Sequence, residues 1–450
     1  VSLYIRYIRI MSSSDLKFIS RPVSCLKGSL RVAGDKSISH RSIMLGSLAE
    51  GTTRVKGFLE GEDALSTLAA FRAMGVEISD PVDGNLEIEG VGMKGLKQPN
   101  APLDMGNSGT SMRLLCGLLS GQGFDSTLIG DESLSKRPMS RVAAPLSLMG
   151  GQILTAEGGR PPLQIKGGKY LVGIEYPMPM ASAQVKSCIL LAGLYAEGET
   201  AVIEPARTRD HTERMLRAVG YEVNTDNSRV SLRSGGKLTG CDLDIPADIS
   251  SAAFFMVAAC IAEDAELLLE HVGVNPTRNG VITILKLMGA DLTLENERMI
   301  GGEPVADIRV RSSHLKGIQI PEDQVPLAID EFPALFIAAA CAEGTTILTG
   351  AEELRVKESD RIQAMADGLK VLGVKHRVNP DGIEIHGGQI KGGRVDSLGD
   401  HRIAMSFAVA GIPSRKPIEI LNCRNVATSF PNFVELANFS GMNIETSNDG

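Results

Sequence analysis

Apolar and polar stretches alternate along the chain in a pattern that recurs six times. Each copy has a helix-like stretch, a small dipeptide that ends in glycine, and a strand-like stretch, at intervals of about 70 to 85 residues. A glycine after one helix is ordinary capping, but six copies at similar spacing indicate a structural repeat. The six dipeptides begin at Met74, Met149, Val219, Met288, Leu372 and Ser440.

A second shared stretch lies upstream of most copies and is apolar nearly all round. Examples come shortly after His40 and Ile249, with the sequences SIMLGSLA and SAAFFMVAACIA. A helix of this kind is normally buried on every side. Because one core rarely extends over 450 residues, the six units predict an α/β fold in two domains of three units each. The division is expected near residues 242–249.

The composition indicates which kinds of ligand the protein is not expected to bind and which cellular compartment suits it. The net charge is −8, so we expect no general affinity for nucleic acid or an anionic membrane, which requires clustered positive charge. The seven cysteines lie singly, which favours reduced thiols in a cytoplasmic protein over a zinc site or disulfides. No segment reads as a transmembrane helix. Residues 1–13 are interpreted as an extension, with Met11 as a natural start.

Polar clusters recur at the start of each buried helix and, in five units, in the loop that enters the second helix. Free N–H groups at helix starts favour anions. Capping alone accounts for Asp248, Ser250 and Ser251, but the positive end of a helix dipole disfavours cations. Cations at these places in an acidic protein therefore predict a site for phosphorylated, carboxylated metabolites. They are Lys36, Arg41, Arg137, Arg209, Lys357, Arg361 and Arg402.

The spacing within two clusters predicts which side chains meet. Residues four apart share a helix face, so Ser37 and Arg41 are expected to point the same way. The same rule predicts that Lys357 and Arg361 share a face, with Glu358 beside them. A carboxylate between cations normally stays ionised, yet it can pass a proton when a ligand displaces its neighbours.

Several familiar motifs are incomplete. The GxGxxG of Gly90, Gly92 and Gly95 precedes a proline-containing stretch instead of a helix, so it is interpreted as a chance match. The GDKS at Gly34 lacks the spacing of a P-loop, which makes an ATPase a weak interpretation. The seven histidines offer no ligand pair, and we expect no metal site.

Long motifs in fixed order, from about residue 26 to residue 433, resemble the enolpyruvyl transferase family and, within it, the shikimate-pathway branch called class II. They are GDKSISHR, GNSGTSMRLL, SKRPM, MASAQVKS, RDHTERML, the DEFP at Asp330, RVKESDR and GDHRIAMS. The resemblance implies the α/β enolpyruvyl transferase fold, with two domains of three βαβαββ repeats around buried parallel helices. It implies a first domain of residues 28–245 and a second of residues 246–450, joined by the N-terminal segment 14–27.

The resemblance also implies an activity. The enzyme would transfer the enolpyruvyl group of phosphoenolpyruvate to the 5-hydroxyl of shikimate 3-phosphate and release phosphate. The hydroxyl loses a proton as it attacks C2, C3 gains one, and phosphate elimination from the tetrahedral intermediate restores the enol ether. Preorganised cations stabilise the developing charge, so no cofactor is expected. We expect a monomer.

Motif by motif, the family's functional residues carry over to this sequence in three groups. The candidates for proton transfer are Asp330 at the hydroxyl, also a substrate contact, and Glu358 at C3, with Lys36 assisting. Residues similar to the shikimate 3-phosphate site are Lys36, Ser37, Arg41 and Arg209, with Ser182, Ala183 and Gln184 as further substrate contacts. Residues similar to the phosphoenolpyruvate site are Lys36, Gly109, Arg137, Lys357, Arg361 and Arg402.

Two positions bear on ligand choice. Gly109 has no Cβ, which lets a ligand approach the backbone closely, and in the family this suggests a site open to phosphoenolpyruvate mimics such as glyphosate. Ser429 stands where many relatives have a lysine, so no catalytic role is assigned to that position.

Two other interpretations remain open. The UDP-N-acetylglucosamine enolpyruvyl transferase shares the fold but normally uses a cysteine in a mobile loop, and the region after Glu132 has none. The second is a non-catalytic anion-binding protein, which would have no use for the carboxylates of Asp330 and Glu358 among the cations.

Overall fold

The computed structural model describes residues 16–448, so the interpretation of residues 1–13 as an extension lies outside the described part. Within it the helices are α1 Lys36–Leu48, α2 Glu62–Ala73, α3 Gly109–Ser120, α4 Glu132–Ser135, α5 Ser140–Leu148, α6 Ala183–Gly193, α7 His211–Ala218, α8 Ile249–Ile261, α9 Gly280–Leu287, α10 Phe332–Cys341, α11 Arg361–Val371, α12 His401–Ala410 and α13 Phe433–Phe439.

The strands of the described part are short and follow the helices in alternation. They are β1 Leu16–Arg21, β2 Cys25–Leu30, β3 Glu50–Lys56, β4 Glu77–Ile78, β5 Leu86–Val91, β6 Leu103–Asp104, β7 Ser126–Ile129, β8 Gln152–Ala156, β9 Arg160–Lys166, β10 Glu175–Pro177, β11 Glu199–Ile203, β12 Asn224–Asp226, β13 Arg229–Arg233, β14 Asp242–Asp244, β15 Asp264–Gly273, β16 Asp291–Ile300, β17 Glu303–Arg311, β18 Thr345–Leu348, β19 Lys375–Asn379, β20 Gly382–His386, β21 Gly393–Asp396, β22 Ile418–Leu421 and β23 Asn443–Asn448.

The predicted repeat is confirmed by the way the second helix of each unit ends. Helices α2, α5, α7, α9, α11 and α13 are each followed by the predicted dipeptide, whose glycine has a φ between 78° and 104°. This left-handed conformation suits glycine because a Cβ would clash there. The turn ends the helix and directs the chain into the next strand. The glycines are Gly75, Gly150, Gly220, Gly289, Gly373 and Gly441.

Each unit has its own small sheet, and the six sheets share one plan. In five of them a parallel pair is followed by two antiparallel strands. The sixth, β18–β20–β19, has two isolated parallel bridges, Lys316 with Glu343 and Gln319 with Ile347, in place of the parallel strand. The others are β14–β3–β5–β4, β6–β7–β9–β8, β10–β11–β13–β12, β16–β17–β15–β2 and β21–β22–β1–β23.

The buried apolar side chains form two separate clusters. One runs from Ile38 to Ile245, and we call the elements around it lobe I. The other combines Phe18 to Val32 with Ala247 to Ile444, and its elements are lobe II. The apolar first helices, α1, α3 and α6 in lobe I and α8, α10 and α12 in lobe II, are buried over most of their length, as predicted.

The start of the described chain belongs to the sheets of lobe II. Strand β1 lies between β22 and β23, and β2 pairs in parallel with β15 as far as Leu30. The chain then passes to α1 and returns to lobe II before α8. Here Asp35 N donates to Pro246 O at 2.8 Å, and Asp248 N donates to Ala33 O at 2.9 Å. The two crossing segments therefore lie side by side, and the predicted domain bounds at residues 28 and 245 stay a prediction.

Candidate active site

The buried first helices begin at polar residues, as the sequence predicts. Five of the six starts are capped by a side-chain oxygen that accepts a hydrogen bond from the first turn, which satisfies otherwise free N–H groups. The capping residues are Asp35, Ser108, Ser182, Asp248 and Asp400. The capping predicted for Asp248 is present, but Asp248 and Ser250 also bind Arg278, so the expectation that they only cap is wrong.

Asp330 lies just before α10 and contacts cations from both lobes. Arg209 of lobe I pairs with its Oδ2, and Arg361 Nη1 lies 3.2 Å from its Oδ1. Lys357 Nζ is 3.8 Å from the same Oδ1, while Arg402 Nη1 donates to the Asp330 carbonyl at 2.9 Å. Burial alone would raise the pKa of Asp330, but these cations, Arg209 foremost, hold that pKa well below its usual value.

Glu358 forms a second carboxylate centre, next to the first. Its Oε2 accepts a hydrogen bond from Arg361 Nη2 at 2.5 Å, and its Oε1 lies 3.8 Å from Arg137 Nη1 of lobe I. Burial would raise the pKa of Glu358, but Arg361 and then Arg137 hold it well below the usual value. Because Arg361 Nε also donates to Asp400 at 2.9 Å, one fully buried guanidinium links all three carboxylates.

The predicted helical relation between Lys357 and Arg361 is wrong. Helix α11 begins only at Arg361, after its cap Asp360, and Lys357 follows a short 3₁₀ segment, Glu352–Val356. The two cations nevertheless meet the same oxygen of Asp330. The loop, and not a shared helix face, brings them together.

In lobe I, Arg41 and Lys36 lie on the first turns of α1. Arg41 Nη1 donates to the Ser37 carbonyl at 2.9 Å, and both residues lie in the same helix, as the spacing rule assumed. The direction of the Ser37 side chain stays a prediction. Its other nitrogens donate to Thr212 Oγ1 at 2.7 Å and Ser187 Oγ at 2.8 Å. Lys36 Nζ pairs with Asp63 at 2.9 Å. Burial lowers the pKa of Arg41 to about 10, which leaves it charged at neutral pH.

Gly109 starts α3 beneath two guanidinium groups. A Cβ at this position would lie 3.2 Å from Arg113 Nη1 and 3.3 Å from Arg137 Nη1. Arg137 Nη2 is held by Asn107 Oδ1 at 2.7 Å, and Arg113 Nη1 by Gln184 Oε1 at 2.6 Å. The absent side chain therefore leaves room beside a pair of cations.

Ser182, Ala183 and Gln184 form the start of α6. Ser182 Oγ caps the helix by accepting from Val185 N at 3.4 Å, and Ala183 is its first residue. Gln184 Nε2 donates to Thr110 Oγ1 at 3.1 Å. Through Gln184, this helix start is bonded to the start of α3.

The structure thus brings seven of the fourteen predicted residues into one network of contacts. Asp330, Glu358, Arg137, Arg209, Lys357, Arg361 and Arg402 form one network across both lobes. The charge of Lys36 acts on Glu358 and on His401, which places Lys36 beside this network. Gly109 joins through Arg137, whereas Ser37 and Arg41 have their bonds to α6 and α7.

Sequence reasoning missed several residues of the site. Arg113 comes four residues after Gly109, so the spacing rule for helix faces could have found it. Burial lowers the pKa of Arg113 to about 10, with help from Arg141 and Arg137. His401 is buried at the start of α12, and burial together with Lys36 and Arg402 holds its pKa well below the usual value. Ser429, for which no role was predicted, has a buried Oγ without a partner within residues 16–448.

The described residues contain no group of three or more His, Cys, Asp or Glu arranged to hold a metal ion. From Leu16 to Asn448, no helix has both the length and the apolar character needed to cross a membrane.

Two lobes of three repeats, with fixed cations and two partly buried carboxylates where they meet, form the arrangement expected of an enolpyruvyl transferase. The comparisons with known proteins are specific. The family model for EPSP synthase (3-phosphoshikimate 1-carboxyvinyltransferase) matches residues 20–436. The chain belongs to this family, and the predicted function and enzyme class are confirmed with it.

Individual relatives agree with the family model over nearly the whole chain. The 3-phosphoshikimate 1-carboxyvinyltransferase of Methylococcus capsulatus is 64% identical over 97% of this chain and 100% of its own length. That of Hydrogenovibrio crunogenus is 62% identical over 96% and 99%. The solved structure of EPSP synthase from Acinetobacter baumannii is 63% identical, with a TM-score of 0.88 over 96% of this chain and 100% of that one. The predicted fold is confirmed.

Proposed function

We propose that this chain transfers the enolpyruvyl group of phosphoenolpyruvate to the 5-hydroxyl of shikimate 3-phosphate at the network around Asp330. The observation that carries the proposal is the Asp330 carboxylate, which lies among cations contributed by both lobes. A carboxylate placed in this way can accept a proton from a hydroxyl while the cations hold the anionic groups of the substrates. The name shared by the relatives supports the same acceptor.

Shikimate 3-phosphate is assigned to the helix starts of lobe I. Arg41 is held by two hydroxyls and a carbonyl, so in the described part of the chain its hydrogen bonds leave the positive charge for a ligand. A phosphate oxygen can also accept from N–H groups at the start of a helix. The assigned contacts are Lys36, Ser37, Arg41, Ser182, Ala183, Gln184 and Arg209.

Phosphoenolpyruvate is assigned to the cations around Glu358. Arg137 approaches Glu358 from lobe I, and Arg361 holds it from lobe II, so a small anion between them meets both lobes. Its carboxylate and phosphate suit the forked geometry of guanidinium groups. The assigned contacts are Lys36, Gly109, Arg137, Lys357, Arg361 and Arg402.

The reaction has an addition step and an elimination step, each with proton transfers. In the addition, Asp330 takes the proton of the 5-hydroxyl as the oxygen bonds to C2, and Glu358, assisted by Lys36, delivers a proton to C3. In the elimination, the C2–O bond to phosphate breaks, C3 returns a proton to Glu358, the C2–C3 double bond reforms, and the proton on Asp330 leaves with the released phosphate. No electrons enter or leave, and the cations stabilise the charge that develops on the phosphate.

The lowered pKa values of Asp330 and Glu358 are compatible with these proton transfers, because the bound substrates bring negative charges of their own. Cations hold Asp330 and Glu358 ionised. When substrate carboxylate and phosphate groups pair with the same cations, the electrostatic hold weakens and both pKa values rise. Proton uptake becomes favourable with the substrates in place, so binding and chemistry are coupled.

We also propose that the chain is of the class II type, monomeric and cytoplasmic. The resemblance of its motifs to those of class II members supports the class II assignment. All seven cysteines are free thiols, which suits a reducing compartment.

One assay tests the activity against its rivals. Purified protein is incubated with phosphoenolpyruvate and either shikimate 3-phosphate or UDP-N-acetylglucosamine, and released phosphate is followed with time. We expect turnover only with shikimate 3-phosphate, together with a product of the mass of the enol ether. Turnover only with the sugar nucleotide would assign the chain to the other transferase. Binding of both anions without turnover would make it an anion-binding protein.

A further inference from the structure

The loop of residues 275–278, between β15 and α9, has three buried polar side chains, Asn275, Thr277 and Arg278, that have no part in the proposed reaction. The side chain of Arg278 is only 4% exposed. We propose that Arg278 is a positioning residue, which fixes the start of α1, with Lys36, relative to the start of α10, with Asp330. This inference rests on the proposed function, because its effect is on the reaction of those two residues.

Arg278 reaches the two segments that cross between the lobes. Its Nη1 pairs with Asp35, whose other oxygen accepts from Ile38 N at 2.9 Å and caps α1. Its Nη2 lies 3.1 Å from Asp248 Oδ1, and Asp248 Oδ2 accepts from Lys36 N at 3.2 Å. A single guanidinium thus holds both capping carboxylates, one on each crossing segment. Lys36 is bonded directly to this arrangement.

The same guanidinium is connected to the start of α10. Its Nη2 donates to Ser250 Oγ at 2.7 Å, and Ser250 Oγ in turn donates to Glu331 Oε1. Glu331 precedes α10 and is the sequence neighbour of Asp330, and Arg278 Nη2 lies 3.9 Å from its Oε1. The position of the Asp330 backbone is therefore tied to Arg278 through one short chain of contacts.

The other end of the loop contacts lobe I a second time. Asn275 Nδ2 donates to Asp210 Oδ1 at 2.7 Å, immediately after Arg209, and to Glu303 Oε2 at 2.9 Å. Glu303 Oε1 is 2.7 Å from His211 Nδ1 at the start of α7. The loop consequently holds lobe I at two helix starts, α1 and α7, that carry proposed substrate contacts.

Replacing Arg278 by a neutral residue leaves buried carboxylates without their cation. The starts of α1 and α10 are then no longer held by the same side chain. The assigned contacts of shikimate 3-phosphate all belong to lobe I and stay together, so binding of this substrate changes little. The reaction, however, requires Lys36 and Asp330 to act on one pair of substrates, and small misplacements of reacting groups are costly to rate. The expected signature is a fall in kcat with little change in the KM for shikimate 3-phosphate.

The test compares Arg278→Met, Arg278→Lys and the control Arg309→Met. Arg309 pairs with Glu295 and Glu266 within one sheet of lobe II, away from the site. We expect Arg278→Met to lower kcat by at least about tenfold, with the KM for shikimate 3-phosphate within about threefold of the wild-type value. Arg278→Lys should recover part of the loss, and the control should match the wild type in kcat. Thermal unfolding is measured for all three.

Several outcomes would overturn the inference. It fails if Arg278→Met keeps wild-type kcat, if it raises KM alone, or if Arg309→Met loses activity equally. If Arg278→Met does not fold, Arg278→Lys decides, since a folded Lys variant with unchanged kcat contradicts the role. A wild-type protein without turnover on shikimate 3-phosphate would refute the proposed function itself, before any variant is compared.

A double-mutant cycle adds a readout that a purely structural role would not change. Glu331→Gln keeps an acceptor for Ser250 but removes the charge near Arg278. If Arg278 acts through Glu331, the two substitutions should lower kcat together by less than the product of their separate effects. Independent, multiplicative effects would contradict the route through α10.

Discussion

The two halves of the site hold their arginines in different ways. In lobe I, Arg41 is bonded to hydroxyls and a carbonyl, and Arg113 and Arg137 are held by amide oxygens. In lobe II, Arg361 is bonded to three carboxylates. Neutral anchors fix a guanidinium without cancelling its charge, whereas carboxylate anchors neutralise it. The neutral anchors of lobe I are therefore suited to binding shikimate 3-phosphate, whereas lobe II supplies the carboxylates proposed to move protons and the cations that surround them.

Three lobe I residues also meet carboxylates and are exceptions to this division. Lys36 pairs with Asp63 within lobe I, Arg209 crosses to Asp330, and Arg137 Nη1 lies 3.8 Å from Glu358 Oε1. All three lie next to the proposed chemistry. The comparison predicts that substitution of the lobe II carboxylates mainly changes kcat and that substitution of a lobe I arginine held only by neutral groups mainly changes KM.

The largest effect is expected for Asp330→Asn. The amide keeps the shape of the side chain but cannot take the hydroxyl proton, so kcat should fall by about a hundredfold or more, the usual range for a lost acid or base. The KM for shikimate 3-phosphate should change little. Steady-state phosphate release measures both quantities, and the exposed Asp323→Asn on the same lobe is the control. Near-normal turnover in Asp330→Asn would remove the base role and the division between the lobes with it.

The second-largest effect is expected for Arg41→Met, which tests substrate binding by lobe I. Loss of a charge-assisted hydrogen bond to phosphate costs about 1.5–3 kcal/mol, so the KM for shikimate 3-phosphate should rise about 10- to 100-fold. The KM for phosphoenolpyruvate should rise much less. Arg54→Met, at an exposed ion pair with Glu87, controls for the loss of a positive charge. Equal increases for both substrates would contradict the assignment of Arg41 to one of them.

The free energy of unfolding should depend on pH through one buried histidine in each lobe. Burial, with nearby cations, lowers the pKa of His40 in lobe I and of His401 in lobe II well below the usual value. Below about pH 6.5 the unfolded chain therefore binds more protons than the folded protein, and the free energy of unfolding falls as pH drops toward the folded pKa values. Each histidine contributes a slope of up to about 1.4 kcal/mol per pH unit.

Denaturant unfolding at several pH values measures this slope. His401→Gln and His40→Gln should each flatten it between about pH 6.5 and 5, whereas the exposed His386→Gln should not. An unchanged slope in both buried variants would show that other groups control acid stability.

The smallest effect is expected for Gly109→Ala. The new Cβ would meet only the ends of two flexible side chains, Arg113 and Arg137, at 3.2 and 3.3 Å. A slight displacement of these guanidiniums should raise the KM for phosphoenolpyruvate by less than about tenfold, or about 1.4 kcal/mol. Gly123→Ala, whose Cβ would meet nothing within 4 Å, is the control. A larger change for shikimate 3-phosphate would place Gly109 in the other subsite.

The sequence predicted what depends on local pattern and missed what depends on distant contacts. The glycines after the second helices and the apolar first helices follow from short-range rules, so the repeat could be found without coordinates. The placement of Lys357 could not, because a loop turns before Arg361 where the spacing indicated a helix. Arg278 was visible as a polar residue in a loop, but its partners Asp35 and Asp248 are remote in sequence.

The position of β1 has a consequence for the order in which the protein can form during synthesis. This strand lies between β22 and β23, so the first described residues pair with the last ones. Their sheet cannot close until residues 443–448 have been synthesised and have left the ribosome, while the cluster from Ile38 to Ile245 can assemble earlier. Until then the leading segment stays an unpaired strand, which other chains or chaperones can bind.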